Sequence, residues 1–510
     1  MSGRIIRTCA MAMAPLCLPL PAHAQASLPY TPTWAARHSL ARLSDEAGLL
    51  LPLSQWPLPS AAVRSALNAL PADLPEALAR ARDDVHADLD RADRPLLTAR
   101  IKTRSEAPVG FDDDYVPGSS LALRSGPIVA ANAAGDPAWA AGIGVRFEQQ
   151  AGSLLDGSAQ TFGAPASVSA RLDDSALVAE AAGITLQAFA HRYWWGPSWQ
   201  DSLILGNNTP PFMGVGVQRS QAVPSDSPWL SWLGAWNAEL FVANAQDPTV
   251  SQAQPKGFLF AGMRLTMKPH PLVELGLSRT WQTGGQGRPN GWRNFFRALI
   301  ARDTNAPGQA QQADDPGNEM AGLDLRVGCG RIARCAFYTQ IIGEDHARYV
   351  PTKNLSLLGA ETWSADGNHR WFVEYVNTSC RGLPWEQAMQ DCAYRNYQYP
   401  QGYTNGSRWA GASFGPDSRV ATLGWYSLAD ERRLRIHAGR VGVSMDAFGP
   451  TLPDPPHGRL LGLAADQAFH IGRLTLTGAL NWTRLQEGSD FGANRRNNLQ
   501  LGVTAEWPLH

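Results

Sequence analysis

The densest group of side chains suited to binding a ligand lies at residues 192–201, which read RYWWGPSWQD. Its tryptophans and tyrosine offer flat apolar faces, while its arginine, glutamine and aspartate offer hydrogen bonds. Aromatic faces that pack on sugar C–H groups, beside polar groups that bind hydroxyls, are typical of a carbohydrate site. The competing interpretation is a structural corner, because Gly196-Pro197 makes a turn and tryptophans of an interfacial girdle need no ligand. The carbohydrate-binding candidates of this cluster are Arg192, Trp194, Trp195 and Trp199.

A second stretch of the same character lies at residues 394–409, which read YRNYQYPQGYTNGSRW. Its aromatic rings, amides and arginines suit a glycan platform, and a packed external loop accounts for the same composition equally well. The candidates from this stretch are Tyr397, Tyr403, Arg408 and Trp409.

Signals for catalysis are weak. Residues 411–415 read GASFG and match G-x-S-x-G, but a nucleophile elbow needs a helix directly after it, and Pro416-Asp417-Ser418 reads as a turn. Glu344-Asp345-His346 has no identifiable third partner, and Asp112-Asp113-Asp114 reads as a solvated turn rather than a metal site. The sequence contains no Walker loop, HExxH or EF-hand motif. We therefore predict a protein that is not an enzyme, with no catalytic residue, no cofactor and no metal.

The composition limits the elements that can position these candidates. The chain has 510 residues, of which 44% are hydrophobic and 17% charged, and its formal net charge is −1. This balance excludes a nucleic-acid-binding protein that depends on a basic surface. The hydrophobic content is also too high for a largely disordered chain. The candidates therefore belong to a folded architecture.

The N-terminus predicts export. Arg4 and Arg7 precede an uncharged apolar stretch, and Ala22-His23-Ala24 fits a cleavage site, so we expect residues 1–24 to be a signal peptide. The cysteine spacings that remain, C-x5-C and C-x11-C, do not fit a zinc site, and an exported chain favours disulfides. Of three pairings, the simplest joins each cysteine to its neighbour in sequence. The disulfide candidates are Cys329, Cys335, Cys380 and Cys392.

Two regions with different periodicity follow the signal. Residues 33–93 carry apolar side chains at helical spacing, with Ser60 and Asp73 as helix starts, which predicts a three-helix unit. After Ala99 apolar and polar residues alternate, and the resulting strands are longer than those of a soluble sandwich. At roughly 20–25 residues per strand and connection, about 16–20 strands of a transmembrane barrel are expected. We predict a helical bundle at residues 25–98 and an antiparallel outer-membrane β-barrel at residues 99–510.

The polar faces of these strands point to the barrel lumen. Charged side chains there can line a pore or bind an acidic polymer, but more commonly they satisfy one another. The long connections lie on the outer face of a barrel or fold into its lumen, because periplasmic turns are short. The lumen-side candidates are Glu274, Asp324, Arg326, Glu374 and Arg435.

Taken in order, several motifs resemble the capsule-assembly Wzi family of Gram-negative outer-membrane proteins. They lie at residues 38–57, at RYWWGP (192–197) with LILGNN (203–208), at GNEMAGLD (317–324), and at residues 403–408 and 411–417. The resemblance implies an outer-membrane barrel of about 18 strands with a small periplasmic helical bundle. It also implies a lectin that holds capsular polysaccharide at the cell surface and catalyses no reaction.

The partners that this resemblance implies are capsular or extracellular polysaccharide and outer-membrane lipid. We expect a monomer that binds no nucleic acid, and contact between the bundle and a polysaccharide export channel is left open. The alternative functions are a porin or oligosaccharide channel and, third, a secreted carbohydrate-active enzyme. Long connections rich in tryptophan and tyrosine favour a plugged barrel, and hence the lectin.

Overall fold

The protein is described by a computed structural model. The residues that it describes are 25–103, 107–131, 137–150, 167–245, 257–289, 291–299, 317–347, 350–383, 392–396, 398–399, 402–406, 408–442, 458–487 and 494–509. The predicted signal peptide at residues 1–24 lies outside them.

The N-terminal unit consists of three helices, which are α1 (Trp34–Ala47), α2 (Ser60–Asn68) and α3 (Glu76–Ala92). The side chain of Thr33 caps α1 by accepting a hydrogen bond from the backbone N–H of Ala36. The predicted start at Ser60 is the first residue of α2, whereas α3 begins directly after Pro75 and not at Asp73. In the part of the chain that the structure describes, no helix is long and apolar enough to cross a membrane.

The main sheet closes into an antiparallel barrel. Its 21 described segments form 18 strands, since three strands are each interrupted by a short break. The last strand pairs with the first, and Gly502 there lies opposite Lys102. The strands are β1 (Leu96–Lys102), β2 (Ser120–Arg124 and Ile128–Ala131), β3 (Pro137–Gly142 and Gly144–Gln150), β4 (Ser167–Leu172 and Ser175–Ala181), β5 (Ile184–His191), β6 (Phe212–Arg219), β7 (Ala235–Asn244), β8 (Leu259–His270), β9 (Val273–Thr283), β10 (Gly317–Gly328), β11 (Cys335–Ala347), β12 (Val350–Trp363), β13 (His369–Asn377), β14 (Arg419–Ser427), β15 (Arg432–Val441), β16 (Gly458–Ile471), β17 (Leu474–Glu487) and β18 (Asn494–Pro508).

Alternation along each strand separates the two faces of the barrel. In β9 the lumen-facing Glu274, Ser278 and Thr280 are buried, while the outward-facing Leu277 is 48% exposed. Exposed leucine, valine and isoleucine side chains recur on the outer face of most strands and form an apolar belt. An outward apolar belt around a polar interior is the arrangement expected of a membrane barrel. The first strand begins at Leu96, so the expected boundary at residue 98 falls inside it.

The two ends of the barrel differ in their connections. One end, the short-connection end, carries tight turns such as Pro271-Leu272 between β8 and β9. The other, the long-connection end, carries the segments 192–211 and 378–418. The bundle lies at the short-connection end, where His38 Nε2 contacts the carbonyl of Gly367 at 2.9 Å. Short turns are periplasmic in outer-membrane barrels, so the expectation of such a barrel predicts that this end faces the periplasm.

Each disulfide closes one connection. Cys329 bonds to Cys335 in the turn after β10, and the two Cα atoms are 5.3 Å apart. Cys380 bonds to Cys392 in the long connection after β13, with Cα atoms 6.1 Å apart. The simplest of the three pairings is therefore the one in the structure.

Candidate functional site in the barrel lumen

Two long connections fold into the lumen and pack against the wall at strands β9 to β13. We call residues 192–211 the first plug segment, and the described residues at 392–396, 398–399, 402–406 and 408–418 the second plug segment. The first plug segment is held by the barrel wall through its backbone. The Gln340 side chain accepts from the N–H of Leu203 at 2.7 Å and donates to the carbonyl of Trp195 at 2.8 Å. The Glu374 carboxylate accepts from the N–H of Trp199 at 2.5 Å.

The two plug segments are also bonded to each other. The Tyr394 hydroxyl donates to the carbonyl of Leu203 at 2.8 Å, and the Tyr403 hydroxyl donates to the carbonyl of Ile204 at the same distance. Arg408 donates to the backbone and side-chain oxygens of Asn208, at 2.5 and 2.8 Å. These contacts join residues about 200 positions apart in the sequence into one buried unit.

The aromatic candidates lie inside this unit. Trp194, Trp195 and Trp199 are at most 2% exposed, and Tyr403 and Trp409 are 1% and 3% exposed. Their neighbours are other rings, so no flat face is open to a sugar in this conformation. Gly196-Pro197 does form the predicted bend, but the tryptophans point into the lumen and not towards lipid as in a girdle. Sugar binding by these residues stays a prediction.

The other candidates occupy three kinds of position. Arg408 is 7% exposed and bonded within the plug. Arg192 is half-buried, with a guanidinium nitrogen 3.1 Å from the carbonyl of Asp113. Tyr397 lies outside the described residues.

The lumen-side charged candidates satisfy one another, as the commoner of the two interpretations predicted. Arg264 donates both terminal nitrogens to Asp324, at 2.7 and 3.0 Å. Glu274 accepts from the N–H groups of Leu53 and Ser54, at 2.8 and 2.6 Å. Paired charges of this kind lock the bundle to the wall, and the two candidate cations, Arg326 and Arg435, already pair with carboxylates instead of facing an acidic polymer.

At the short-connection end, several buried charges hold the bundle to the barrel wall. Arg326 in β10 donates to Asp45 of α1 at 2.9 and 2.6 Å and to Glu361 at 2.6 Å. Arg370 donates to His38 Nδ1 at 2.7 Å. Burial, and next the charge of Arg370, hold the pKa of His38 well below its usual 6.5, so this imidazole is neutral at pH 7.

Arg37 links the bundle to the first plug segment. Its guanidinium donates to the carbonyl of Ser198 at 2.7 Å and lies 4.1 Å from the ring centre of Phe111 and 4.5 Å from that of Trp199. Burial lowers the pKa of Arg37 to about 10, which leaves the side chain charged at neutral pH. The cation is therefore shared between carbonyl oxygens and aromatic faces.

The residues Asp112-Asp113-Asp114 fit our expectation of a solvated turn only in part. Asp112 is exposed in a turn, whereas the side chains of Asp113 and Asp114 are 13% and 7% exposed and pair with arginines. Asp114 contacts Arg146 at 2.6 Å, and Asp113 contacts Arg435 at 2.6 Å. Burial alone would raise the pKa of Asp113, but Arg435 and Arg433 outweigh it and lower that pKa to about 2.

A polar cavity of about 180 Å³ lies beside these aspartates, between α3 and strands β1 to β3. Arg192, Arg146 and His191 also line it. Ligand pockets usually exceed about 300 Å³, so this cavity is too small for a polysaccharide. Among the residues that the structure describes, no group of three or more His, Cys, Asp or Glu side chains is arranged to hold a metal ion.

At the long-connection end, side-chain amides of the wall and of the second plug segment form a hydrogen-bonded chain. The Asn396 amide donates to Asn318 Oδ1 at 2.9 Å, and Asn318 in turn donates to Gln282 Oε1 at 3.1 Å. Asn396 and its neighbour Arg395 are half-buried, and Arg395 lies 5.4 Å from the ring centre of Trp409. We call Gln282, Asn318 and Asn396 the amide layer.

The family model described as capsule assembly protein Wzi matches residues 110–441, which span strands β2 to β15 and both plug segments. The chain belongs to the Wzi family. An uncharacterized 55.8 kDa protein in the cps region of Klebsiella pneumoniae is 28% identical over 345 residues. That match covers 67% of this chain and spans 62% of the length of the Klebsiella protein.

The fold of the Wzi family is also that of a solved structure. It is Wzi of Escherichia coli, described as an outer-membrane protein involved in group 1 capsule assembly and as a carbohydrate-binding β-barrel. It matches with a TM-score of 0.75 and 20% identity, over 95% of this chain and 100% of that one. The likeness shows that the two chains share the barrel fold.

Sequence reasoning missed the residues that fix the plug and the bundle. Gln340, Glu361 and Arg370 face the lumen by alternation, but nothing local indicates their partners. Asp45 and His38 lie on a helix that reads as an ordinary amphipathic segment. Two signals were available: polar side chains recur on the lumen face of strands β9 to β13, and the family motif at residues 38–57 includes His38 and Asp45.

Proposed function

We propose that the chain is a lectin-like protein of the outer membrane that binds and anchors capsular or extracellular polysaccharide at the cell surface during capsule assembly. The observation that carries this proposal is the plugged lumen of a Wzi-family barrel. An outer-membrane barrel that is filled from both ends suits attachment better than transport. The carbohydrate binding of the Escherichia coli relative supports the same reading.

A porin or oligosaccharide channel is the second candidate. It requires an open path, yet the plug segments and the bundle occupy the described lumen with buried rings and paired charges. A catalytic role has less support. Ser413 of the G-x-S-x-G match is buried and is followed by turns up to the start of β14 at Arg419, where a nucleophile elbow would need a helix.

We assign the polysaccharide contact to the outer surface of the amide layer. Arg395 and Asn396 are half-buried there, and side-chain amides with an arginine suit sugar hydroxyls. On this assignment the predicted aromatic candidates do not touch the sugar but hold the residues that do, since Trp409 packs beneath Arg395. Monomeric assembly, removal of residues 1–24 and contact between the bundle and an export channel belong to the same proposal.

The first experiment compares cell-bound and released polysaccharide in a deletion strain, with total output recorded. Loss of cell-bound polymer at constant total is expected, because an anchor changes partition and not synthesis. Unchanged partition would contradict the attachment role. Steady conductance of the purified chain in a planar bilayer would favour the porin instead.

Complementation then locates the contact. Arg395→Ala with Asn396→Ala is expected to weaken retention about tenfold, as loss of 1–2 kcal/mol of binding would. Arg432→Ala, an exposed arginine at the opposite end, is the matched control and should retain polymer fully. If the double variant forms a folded barrel and still retains all of the polysaccharide, the polysaccharide does not bind at the amide layer.

A further inference from the structure

One helix packs on the outside of the barrel. Helix α4 (Trp292–Leu299) lies against the outward faces of β8 and β9, near the long-connection end. It covers Trp281 and Ala261, which are 1% and 0% exposed although both face away from the lumen. Elsewhere on this face large apolar side chains are exposed. The helix therefore replaces part of the apolar belt with its own surface.

Specific contacts hold α4 against the barrel wall. Arg279, also outward-facing in β9, donates to the carbonyl of Leu299 at 2.6 Å and to that of Ala298. The same guanidinium pairs with Glu319 of β10. A cation at the last carbonyl groups of a helix complements its dipole. Ala298 is fully buried against the wall, so the orientation of α4 about its axis is fixed.

The opposite face of α4 is apolar and basic. Trp292 is 77% exposed and Phe296 is 54% exposed, one turn apart on the helix. Arg293 and Arg297 lie in the same helix, which has no acidic residue. Aromatic residues with adjacent arginines, on a helix that lies along a surface, are typical of interfacial membrane anchors.

We propose that α4 is an interfacial anchor that binds the outer leaflet, with Trp292 and Phe296 at the acyl boundary and the arginines towards lipid phosphate groups. The exposed face of α4 is continuous with the apolar belt. Its position near the strand ends corresponds to headgroup depth, and its charge complements an anionic leaflet. This inference depends on membrane insertion of the barrel and does not depend on polysaccharide binding.

Hydrogen exchange of the folded full chain tests the anchor. The chain is reconstituted in phosphatidylcholine vesicles and in phosphatidylcholine–phosphatidylglycerol vesicles, and amide exchange is followed at residues 291–299. Exchange should be about fivefold slower with phosphatidylglycerol, the effect of about one arginine near an anionic surface. Arg293→Gln should remove most of this difference. Trp292→Ser with Phe296→Ser should speed exchange in both vesicles.

The control double variant is Trp229→Ser with Trp232→Ser, which removes two exposed tryptophans before β7, at the short-connection end. It should leave exchange in α4 unchanged. Equal exchange in both vesicles for the parent chain would overturn the proposal. Protection in detergent that grows with protein concentration would instead assign this face to a second copy.

Two further readouts separate this proposal from others. Heat-modifiable gel mobility checks that each barrel is folded, and Arg293→Gln alone carries the test if the aromatic variant does not fold. Polysaccharide partition in cells should be unaffected by Arg293→Gln. Loss of the anchor effect with normal retention, or the reverse, therefore distinguishes failure of this inference from failure of the proposed function.

Discussion

The two ends of the lumen are closed by different chemistry. At the short-connection end the bundle is held by buried charges, of which Asp45, Arg326 and Glu361 form one connected group. At the long-connection end the described plug segments meet mostly through neutral groups, such as the Tyr394 hydroxyl on the Leu203 carbonyl. Buried charge fixes one geometry and responds to pH, whereas neutral contacts depend on packing. One barrel can therefore be closed by pH-sensitive contacts at one end and by neutral, packing-dependent contacts at the other.

We call the buried charges at the short-connection end, with His38, the charged seal; its charged members are Asp45, Arg326, Glu361 and Arg370. The largest expected effect comes from breaking this group. Arg326→Met leaves Asp45 and Glu361 as buried carboxylates without this partner, which should cost about 3–5 kcal/mol of unfolding free energy. Urea unfolding of the purified barrel measures the loss. Arg334→Met is the control, because Arg334 is half-exposed and its ion pair with Glu46 is long, at 3.9 Å. This variant should cost at most about 1 kcal/mol. Equal losses in both variants would contradict the charged seal.

A smaller effect is expected among the neutral contacts that join the two plug segments. Tyr394→Phe keeps the ring but removes the hydroxyl that donates to Leu203 and accepts from the N–H of Ala412 at 3.0 Å. The loss should be about 1–2 kcal/mol, because one buried carbonyl and one N–H lose their partner. Limited proteolysis within the long connections measures it. Tyr375→Phe, on the outer face, is the matched control, and a Tyr394→Phe plug as resistant as the parent would argue against the tyrosine contact.

The smallest effect is a pH dependence confined to the charged seal. Folding holds the pKa of His38 well below 6.5, so the stability that its neutral form contributes is present above pH 6.5 and lost as the pH falls below that value. His38→Gln keeps a donor for Gly367 and an acceptor for Arg370 but does not titrate.

Unfolding of the parent and of His38→Gln at pH 7.5 and pH 5.5 isolates the histidine, because the two proteins share every other titratable group. The parent should lose more stability on acidification than the variant. Parallel pH curves would show that His38 does not titrate in the seal.

The sequence predicts the barrel better than its contents, for a physical reason. Alternation is a local property, so the lumen side of Glu274, Asp324 and Glu374 could be assigned from their own strands. The tryptophan cluster was different, because its burial depends on Gln340 and Glu374, each more than 130 residues away. Asp112-Asp113-Asp114 reads as solvated by composition, and Asp113 and Asp114 lose most of their exposure only because arginines from β15 and β3 reach them. The partners of these residues lie across the lumen on distant strands, so no periodicity in the sequence reveals them.

The bundle crosses the bore from one wall to the other. Arg91 of α3 pairs with Glu506 of the last strand, while α1 contacts β10 and β13 on the far side. Because α3 leads directly into the first strand, α1 and α3 together tie that strand to β10 and β13 through one compact unit. The bundle therefore couples the junction between the first and last strands to the middle strands of the sheet.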